Sequence, residues 1–415
     1  MDHASSALST SANPGAIHDL GVKEKNKLEN ARTGVANMLN AHSNEIIFTS
    51  GATESNNLAI LGLISGVRIN YLRGPRFSGS HPGQTITDSL FLPHIVTTNI
   101  EHASVLEVCK HLEKTKQAEV TCVPVEKNGI VDPEKIKKAL KPNTILVSVM
   151  YANNEIGTVQ PIREIAKVIR HFRKQKEGGE GFFRSSDPWV PLPARPFKNL
   201  PLLPFFHTDA VQAVNYLPIK VPQLGVDMMS INSVKIYGPK GVGVLYVKKN
   251  TPLSPIMFGG GQEFGLRPGT ENVALALGLA KALEVTEKIK EDEVKRLTKL
   301  REYFFKKLSK IKNRKFVING DLDNRLPNNI NITIPNIPSD LLVIELSARG
   351  VMASAKSACK AGNGKASHVI QAINPNTKEE DGSLRFSLGR ETTKPDIDYT
   401  IKALFQILAK LSKWY

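Results

Sequence analysis

The chain alternates, from Val22 to Ser230, between segments with helical spacing and short segments rich in β-branched residues. The helical segments read VKEKNKLENARTGVANML, ATESNNLAILGLI, ASVLEVCKHLEK and DPEKIKKAL, and the strand-like segments read EIIFTS, HIVTTN, AEVTCVPV and TILVSVM. Neighbouring parallel strands need a long crossover, usually a helix, so this alternation favours a mostly parallel sheet with helices on both faces. The sequence therefore predicts an α/β fold.

The pattern changes after Pro252. A long helical stretch is predicted from Asn272 to about Lys310, and the segment NNINITIP further on alternates like a strand. A final helix is predicted from Pro395, and it buries an apolar stripe of Ile397, Ile401, Leu404, Leu408 and Leu411. We therefore expect a large α/β domain over residues 13–252 and a smaller α+β domain over residues 253–415.

Two segments interrupt the alternation, from Gly66 to Leu92 and from Lys176 to Pro204. Both are rich in glycine, proline and serine, which are typical of loops and turns. Long loops without secondary structure are uncommon within the core of a compact domain. We therefore interpret the segments 66–92 and 176–204 as surface insertions in the large domain.

The charge balance bears on the class of partner. Lysine and arginine number 55 against 39 aspartate and glutamate residues, giving a net charge of +16. Such a balance can indicate nucleic acid binding. Here acids and bases interleave along helical segments such as EKIKEDEVKRLTKLREYFFKKLSKIK, which favours a solvated basic surface. We expect no direct binding of nucleic acid, with an acidic partner or an anionic substrate as the alternative.

The sequence also indicates the compartment. No apolar run reaches the ~18 residues of a membrane helix, since the best candidate, VALALGLAKALEV, contains Lys281. The N-terminus lacks a basic segment followed by an apolar one, so we expect a cytoplasmic protein that binds no membrane. The three cysteines show no paired or metal-type spacing, which fits a reducing compartment and predicts no metal site. Cys109 and Cys122 lie in apolar helix-like and strand-like patterns and are interpreted as packing residues.

The segment TSGATESNN, from Thr49 to Asn57, follows a predicted strand and opens a predicted helix. Free backbone N–H groups at a helix N-terminus, next to small residues, suit a phosphate group. In isolation such a turn is more often a structural helix cap. Both interpretations stay open at this point.

Further polar residues stand at predicted strand ends. Asp209 and Gln212 follow the strand in FFHTDAVQAV, where an acid either faces the ligand crevice of an open sheet or caps the next helix. Lys235 follows the next strand, in INSVKIYGPKGVGVLYV, and Lys240 is interpreted as a solvated residue of the turn behind it. Phosphate turn, acid and lysine form the set that a pyridoxal phosphate enzyme needs. The lysine holds the cofactor as a Schiff base, and the acid keeps the pyridine nitrogen protonated.

Eight motifs follow one another along the chain: TSGATESNN, EHASVLEVC, NNEIGTVQPI, HTDAVQAV, KIYGPKGVGVLYV, GGGQEFGLRPGTEN, SAC and RFSLGRETT. With these motifs in this order the chain resembles the cysteine desulfurases of the class V aminotransferase family, pyridoxal phosphate enzymes of fold type I. The resemblance covers nearly the whole chain outside the two insertions. It implies a large domain with a mostly parallel seven-stranded sheet and a smaller C-terminal α+β domain.

The resemblance implies which residues surround the cofactor ring. Lys235 matches the Schiff-base lysine, Asp209 the acid at the pyridine nitrogen, and Gln212 the partner of the ring hydroxyl. His102, in EHAS, matches the imidazole that stacks on the ring. Asn154, in NNEIG, matches a contact of the ring and of the substrate.

The resemblance also implies how the phosphate is held. Ala52 and Thr53 match the phosphate turn, and Thr270 matches a residue that reaches the phosphate from a neighbouring subunit, which implies a homodimer. The family commonly has His immediately before the lysine and Ser or Thr three residues before it, where this chain has Val234 and Asn232. Asn232 can still donate a hydrogen bond, but Val234 cannot. We therefore expect cofactor binding weakened by ~1.5–3 kcal/mol, the contribution of one charge-assisted contact.

Two further positions match the reacting groups of the family. Cys359, in ASAKSACKAGNGK, matches the sulfur-accepting nucleophile, and three nearby lysines favour its thiolate: Lys356, Lys360 and Lys365. Arg385, in SLRFSLGR, matches the arginine that binds the substrate carboxylate, a role that suits a planar bidentate donor. Arg390 and Arg267 are the alternatives for this role.

A reaction follows from the resemblance. Free L-cysteine displaces Lys235 from the cofactor, Lys235 or His102 moves the Cα proton, and the Cys359 thiolate attacks the substrate sulfur. L-Alanine leaves, and the persulfide on Cys359 passes its sulfur to an acceptor or scaffold protein, for iron–sulfur cluster assembly or thio-modification of RNA. A selenocysteine lyase on the same scaffold and a non-catalytic copy that acts as a binding protein are the alternatives.

The N-terminus departs from the family pattern. The family's first strand usually reads like YLDNAATT and precedes a helix of about a dozen residues. Here Asp2 to Ser6 join the motif Asn13–His18 almost directly. We interpret residues 1–12 as a shortened N-terminal segment that packs on the small domain.

Overall fold

The computed structural model describes six ranges of the chain. They are residues 12–72, 92–178, 203–311, 316–355, 367–378 and 381–411. The predictions about residues 1–11, and about the segments between these ranges, lie outside the described residues.

Seven strands form one sheet in the first part of the chain. They are β1 (Ile46–Thr49), β2 (His94–Thr98), β3 (Glu119–Val123), β4 (Thr144–Ser148), β5 (Phe205–Asp209), β6 (Met228–Asn232) and β7 (Gly243–Val247). Their order across the sheet is β1-β7-β6-β5-β4-β2-β3. Strand β7 is antiparallel to both of its neighbours, and the other pairs are parallel. The predicted mostly parallel seven-stranded sheet is confirmed.

Helices precede and separate these strands. They are α1 (Asp19–Leu39), α2 (Ala52–Asn57), α3 (Leu63–Leu72), α4 (Ala103–Lys114), α5 (Pro133–Ala139), α6 (Ile162–Gly178) and α7 (Val221–Leu224). A π-helical turn over Leu58–Gly62 joins α2 to α3. Successive residues such as Ile46 and Ile47 enter different apolar clusters, because side chains along a strand point to opposite faces. Both faces of the sheet are buried, as the alternating sequence predicted.

The first predicted insertion begins later than Gly66, and that boundary was wrong. Gly66 is buried within α3, where a Cβ atom would lie 1.8 Å from the carbonyl oxygen of Pro252. The glycine therefore serves the close packing of a helix and not a loop. Helix α6 likewise includes Lys176, the predicted start of the second insertion. Most of both insertions, residues 73–91 and 179–202, lies outside the described residues.

The second part of the chain contains a long helix and a small antiparallel sheet. Its elements are α8 (Val273–Leu308), β8 (Val317–Ile318), β9 (Asn329–Ile334), α9 (Ser339–Ser347), α10 (His368–Ile373), β10 (Gly382–Ser387) and α11 (Lys394–Leu411). Strand β9 lies between β10 and β8 and is antiparallel to both. The predicted long helix, strand and final helix are all present. In α11 the predicted apolar stripe is buried, except for Ile401, which is half-buried.

The polar face of β9 is covered by the large domain. All six residues of this strand are buried. The side chains of Asn329 and Asn331 both donate to the backbone oxygen of Glu155, at 3.0 Å. The alternation in the sequence of β9 therefore marks a contact between the two domains.

One apolar core extends through both parts of the chain. It includes Leu28 of α1, Phe206 of β5, Phe304 of α8, Ile332 of β9 and Leu404 of α11. Helix α1 packs along α8, which connects the two sheets. This shared core holds the small sheet against the carboxyl edge of the large one. Within the described ranges, no helix combines the length and apolarity that a bilayer crossing requires.

Candidate active site

The topology brings the predicted site residues to one edge of the large sheet. Strands β1, β2, β4, β5 and β6 run in the same direction, since only β7 is reversed. Their carboxyl ends therefore meet at the same edge, where open α/β sheets bind ligands. Asp209 ends one of these strands, and the segments that follow the others carry Thr53, His102, Asn154 and Lys235.

Asp209 is buried at the end of β5, with 6% of its surface exposed. Its Oδ1 accepts a hydrogen bond from the Val211 N–H at 3.0 Å, and its Oδ2 accepts one from Asn56 Nδ2 at 2.8 Å. Burial raises the pKa of this carboxyl, although these donors and nearby His102 oppose the shift. Asp209 thus supports the turn that follows β5, and the alternative that it caps a helix was wrong, because residues 211–216 form a turn and not a helix. Gln212 lies half-buried in the same turn.

His102 is the N-cap residue of α4. Its Nδ1 accepts a hydrogen bond from the Ser104 N–H at 3.2 Å and lies 2.8 Å from Ser104 Oγ. Asn56 Nδ2 donates to the same Ser104 Oγ at 2.8 Å, and Asn56 also binds Asp209. The predicted acid and the predicted imidazole are therefore joined through Asn56 and Ser104, which sequence reasoning missed.

Glu101 is a second buried carboxylic acid in the site that sequence reasoning missed. Its carboxyl group accepts hydrogen bonds from Thr98 Oγ1 at 2.7 Å and from the Met150 N–H at 2.9 and 3.0 Å. Burial raises the pKa of Glu101 to about 8, and the nearby Asp209 carboxylate adds to the shift. An acidic residue directly before a predicted site histidine, within an apolar segment, was the available signal in the sequence.

The turn that carries Asn154 is fixed by its neighbour Asn153. The Asn153 amide donates to the Ile100 backbone oxygen at 2.9 Å. Its oxygen accepts from the N–H groups of Glu155 and Ile156, at 2.8 and 3.0 Å. The Asn154 turn is therefore held against the segment that leads into His102.

The small domain contacts both of these turns. Ser367 Oγ donates to Glu155 Oε2 at 2.5 Å. His368 Nε2 lies 3.1 Å from the backbone oxygen of Glu101 and must donate to it, because a carbonyl oxygen can only accept. Residues 367 and 368 thereby attach the start of α10 to the turns that carry His102 and Asn154.

Arg385, one of the three arginines predicted as candidates for the substrate carboxylate, contacts the turn that carries Asn154. Its Nη1 donates to the Asn154 backbone oxygen at 2.9 Å, and among the described residues its buried Nε has no partner. Burial lowers the pKa of this guanidinium, while Glu155 opposes the shift. Both alternatives are engaged elsewhere: Arg267 pairs with Glu54 and Arg390 stacks on Tyr237.

The turn that carries Lys235 is more exposed to solvent than the residues around Asp209. A 3₁₀ turn over Ser233–Ile236 contains the exposed side chain of Lys235. The backbone oxygen of Lys235 accepts from Asn215 Nδ2 at 2.5 Å. Asn232 Oδ1 accepts from the Val234 N–H at 3.4 Å, and Val234 is 37% exposed. Val234 thus presents an apolar side chain where the family has a phosphate donor.

The predicted phosphate turn approaches the lysine turn closely. Gly51, with φ of 155°, immediately precedes α2, and a Cβ atom on Gly243 would lie 2.7 Å from Gly51 Cα. Asn232 Nδ2 lies 4.0 Å from where a Cβ on Gly51 would be. The first N–H groups of a helix, here at Ala52 and Thr53, have no partner within the helix and can bind an anion.

Thr270 lies in the loop before α8 and is exposed. It lines a cleft of about 250 Å³ together with Thr49 and Ser50 of the same chain. The loop is attached to the phosphate turn, because Glu54 accepts from Arg267 Nε at 3.0 Å and from the Ser50 N–H at 2.7 Å.

The cysteines differ in their surroundings. Cys359, with Lys356, Lys360 and Lys365, lies outside the described residues. Cys109 is buried in α4, as expected for a packing residue, and burial raises its pKa to about 12. The prediction that Cys122 is a packing residue was wrong, because β3 is an edge strand and leaves this side chain exposed.

The chain is similar to known proteins over nearly its whole length. A family profile described as aminotransferase class-V matches residues 1–70, 92–175 and 204–400. A cysteine desulfurase IscS of Dictyoglomus turgidum is 40% identical over 399 residues, which cover 96% of this chain and 88% of that protein. A cysteine desulfurase IscS of Methanosarcina thermophila is 37% identical over 399 residues, covering 96% and 85%.

Solved structures agree with these matches. A NifS-like protein has a TM-score of 0.77 and 31% identity, covering 96% of this chain and 92% of that chain. A structure described as SspA in complex with cysteine has a TM-score of 0.67 and 32% identity, covering 92% of each chain. The likeness therefore includes both the large sheet and the second, smaller part of the chain.

Proposed function

The chain belongs to the class-V aminotransferase family, as a cysteine desulfurase with fold type I, and we propose that it converts L-cysteine to L-alanine while Cys359 accepts the sulfur. The meeting of Lys235, Asp209 and His102 at one sheet edge, with Arg385 of the small domain bonded to the Asn154 turn at the same edge, carries this proposal. The atoms balance, since cysteine and a thiol give alanine and a persulfide.

Pyridoxal phosphate fits the residues present. Burial raises the pKa of Asp209, and a protonated pyridine nitrogen would place a positive charge beside this carboxylate. A Cβ atom on Gly51 would have only Asn232 Nδ2 within 4.0 Å, so space is open for an anion to approach the backbone N–H groups at the start of α2. When bound, the cofactor supplies an electron sink that allows the substrate Cα proton to leave.

The chain's own residues then divide the remaining tasks. Lys235 holds the cofactor covalently until substrate arrives and afterwards is free to move the Cα proton. Arg385 and Asn154 orient the substrate, with the guanidinium binding its carboxylate. The Cys359 thiolate attacks the substrate sulfur. We propose that an acceptor or scaffold protein then takes the sulfur, for iron–sulfur cluster assembly or thio-modification of RNA.

Three proteins test this function: wild type, Lys235→Ala and Cys359→Ser. With added pyridoxal phosphate, L-cysteine and a thiol reductant, wild type should form alanine and sulfide, and both variants should lose them. The visible absorbance band of the bound cofactor should disappear in Lys235→Ala alone. Normal sulfide release by Cys359→Ser would overturn the assignment of the nucleophile, and turnover of selenocysteine alone would favour a selenocysteine lyase.

The assembly that we propose is a homodimer in which Thr270 reaches the partner's cofactor phosphate. The loop that carries Thr270 also exposes apolar side chains, with Phe258 86% exposed and Phe264 56% exposed. Exposed apolar groups close together on a loop indicate a protein interface. The loop's attachment to the phosphate turn places this surface beside the site.

Subunit mixing tests the placement of Thr270. Lys235→Ala and Thr270→Val homodimers should each be weakly active or inactive. If Thr270 acts across the interface, a heterodimer of the two variants contains one intact site and regains up to about half of the activity per dimer. A heterodimer that regains nothing would place Thr270 in its own subunit's site. Sedimentation equilibrium on the wild type checks the dimer itself.

A further inference from the structure

A chain of hydrogen bonds connects Asp209 to His102 through two residues of different helices. Asn56 Nδ2, in α2, lies 2.8 Å from Asp209 Oδ2 and 2.8 Å from Ser104 Oγ. Ser104 Oγ, in α4, lies 2.8 Å from His102 Nδ1. Asn56 is fully buried and Ser104 is 8% exposed. The bonds of Asn56 are therefore shielded from water, and the bond between Ser104 and His102 is partly buried.

The orientation of the Asn56 amide follows from its two neighbours. An amide nitrogen has two protons, and here each points to one acceptor, the Asp209 carboxylate or the Ser104 hydroxyl. Turning the amide over would bring its oxygen against the Asp209 carboxylate. The oxygen, which among the described residues has no hydrogen-bond partner, therefore lies on the other side.

The direction of the last bond follows in turn. Ser104 Oγ accepts from Asn56, so its single proton is available for His102 Nδ1. The Ser104 backbone N–H also points to this nitrogen, at 3.2 Å, and a backbone N–H can only donate. Two donors thus converge on Nδ1, which must be the unprotonated nitrogen of the neutral ring.

We infer that Asn56 and Ser104 are positioning residues that fix the tautomer of His102, with Nδ1 as an acceptor and the proton on Nε2. The neutral imidazole then presents an N–H donor to the site and keeps no free lone pair. His102 is suited to donate a hydrogen bond to a bound group, and acceptance of the Cα proton falls to Lys235. This consequence for catalysis rests on the proposed function, whereas the tautomer itself does not.

The tautomer can be measured without cofactor or substrate. Protein labelled with ¹⁵N-histidine gives two-bond ¹H–¹⁵N correlations that distinguish a protonated from an unprotonated ring nitrogen, and His102→Gln assigns the signal. Wild type should show a protonated Nε2 and an unprotonated Nδ1 at His102. A protonated Nδ1 in the neutral ring would overturn the inference, whatever the enzymatic activity.

Matched variants test the two supporting residues. Asn56→Ala lets the Ser104 hydroxyl turn away, so signals of a second tautomer should appear. Asn57→Ala removes an amide from the next position of α2, where among the described residues it binds only the backbone oxygen of Thr53, and should leave the spectrum unchanged. An unchanged spectrum in Asn56→Ala would contradict its role. Ser104→Thr keeps the hydroxyl and should resemble wild type even if Asn56→Ala folds poorly.

The kinetic test uses Ser104, which does not touch Asp209 directly. Ser104→Ala should lower kcat by about fivefold, the effect of one neutral hydrogen bond, with KM for cysteine little changed. Ser104→Thr should restore kcat. If Ser104→Ala only lowered the unfolding temperature, with kcat and the tautomer unchanged, the residue would be structural and the inference would fail.

Discussion

The residues around Asp209 are mostly buried, and their side chains bond to one another across elements, whereas Lys235 and Val234 have exposed side chains. We call the first group the acid half: Asn56, Glu101, His102, Ser104 and Asp209. We call the second group the lysine half: Gly51, Asn232, Val234 and Lys235. In the acid half, side chains from β5, α2 and α4 hold one another. In the lysine half, Asn232 accepts a bond from its own turn.

This difference matches the tasks of the two halves. A fixed charge acts best when its surroundings are already oriented and dry, because no reorganisation is then needed during the reaction. A lysine that forms and releases a covalent bond needs freedom to move, and an exposed side chain on a short turn provides it. Val234, which departs from the family pattern, falls in the lysine half, where its side chain is exposed.

Among the substitutions that test the difference between the two halves, replacement of Asp209 should lower activity most. Asp209→Asn removes one partner of a buried charge pair in the loaded enzyme, at a cost of ~3–5 kcal/mol, so kcat/KM should fall at least about a hundredfold. Steady-state alanine formation measures the fall. Asp227→Asn is the matched control, because Asp227 is also buried and pairs with Arg173 at the opposite edge of the sheet. It should lower stability and spare kcat. Equal losses of kcat in both variants would show that Asp209 affects activity only as a buried acid that stabilises the fold.

The acid half should also make stability depend on pH. The pKa of Glu101 is about 8 in the folded chain and about 4.3 when unfolded, so the folded state holds more protons between these values. The contribution of Glu101 to stability should therefore fall as pH rises from about 4.3 to about 8, by up to tenfold in the unfolding equilibrium per pH unit, while buried His94 and His207, whose pKa values are lowered by burial, act in the opposite direction below about pH 6.5. The free energy of unfolding, measured with urea at pH 5, 6, 7 and 8, should depend less steeply on pH in Glu101→Gln than in wild type.

The exposed Glu107 on α4 provides the control for this measurement. In Glu107→Gln the free energy of unfolding should depend on pH as steeply as in wild type. Asp209 contributes in the same direction, since burial raises its pKa as well, so some slope should remain in Glu101→Gln. If the free energy of unfolding of Glu101→Gln depended on pH as steeply as that of wild type, Glu101 would not titrate in this range.

A hydrogen-bond donor to the phosphate, restored in the lysine half, should increase the affinity for pyridoxal phosphate. Val234→His should bind pyridoxal phosphate ~1.5–3 kcal/mol more tightly, because it adds one charge-assisted contact. Fluorescence titration of the cofactor-free protein measures the dissociation constant, with Val234→Ala as the control for loss of the β-branched side chain. If wild type holds the cofactor as tightly as Val234→His, the family difference at this position has no consequence for binding.

The smallest effect is expected at Lys240. Its side chain is exposed in the turn before β7, so Lys240→Gln should change stability and activation free energy by less than about 0.5 kcal/mol. Alanine formation by Lys240→Gln, measured beside Lys235→Ala, separates the two lysines of the turn. A large loss in Lys240→Gln would show that the second lysine also takes part.

Sequence reasoning succeeded where the signal was local. The alternation of segments predicted the sheet and its helices, because strand and helix periodicities depend on neighbouring residues. The positions of Asp209 and Lys235 at strand ends followed from the same pattern, whereas His102 was implied by the family resemblance. Gly66 shows where this reasoning fails. A glycine is needed there because the backbone of Pro252, which is distant in sequence, packs against the helix.

The sequence by itself therefore determined the sheet, the order of the turns at its edge and the residue types that they carry. Only the tertiary structure decided that Asn56 bridges Asp209 and Ser104, and that Arg385 lies beside Asn154. Asn56 and Asp209 are 153 positions apart, and Arg385 and Asn154 are 231 apart. A hydrogen bond depends on distance and direction in space, and spacing along the chain does not specify either between such distant residues.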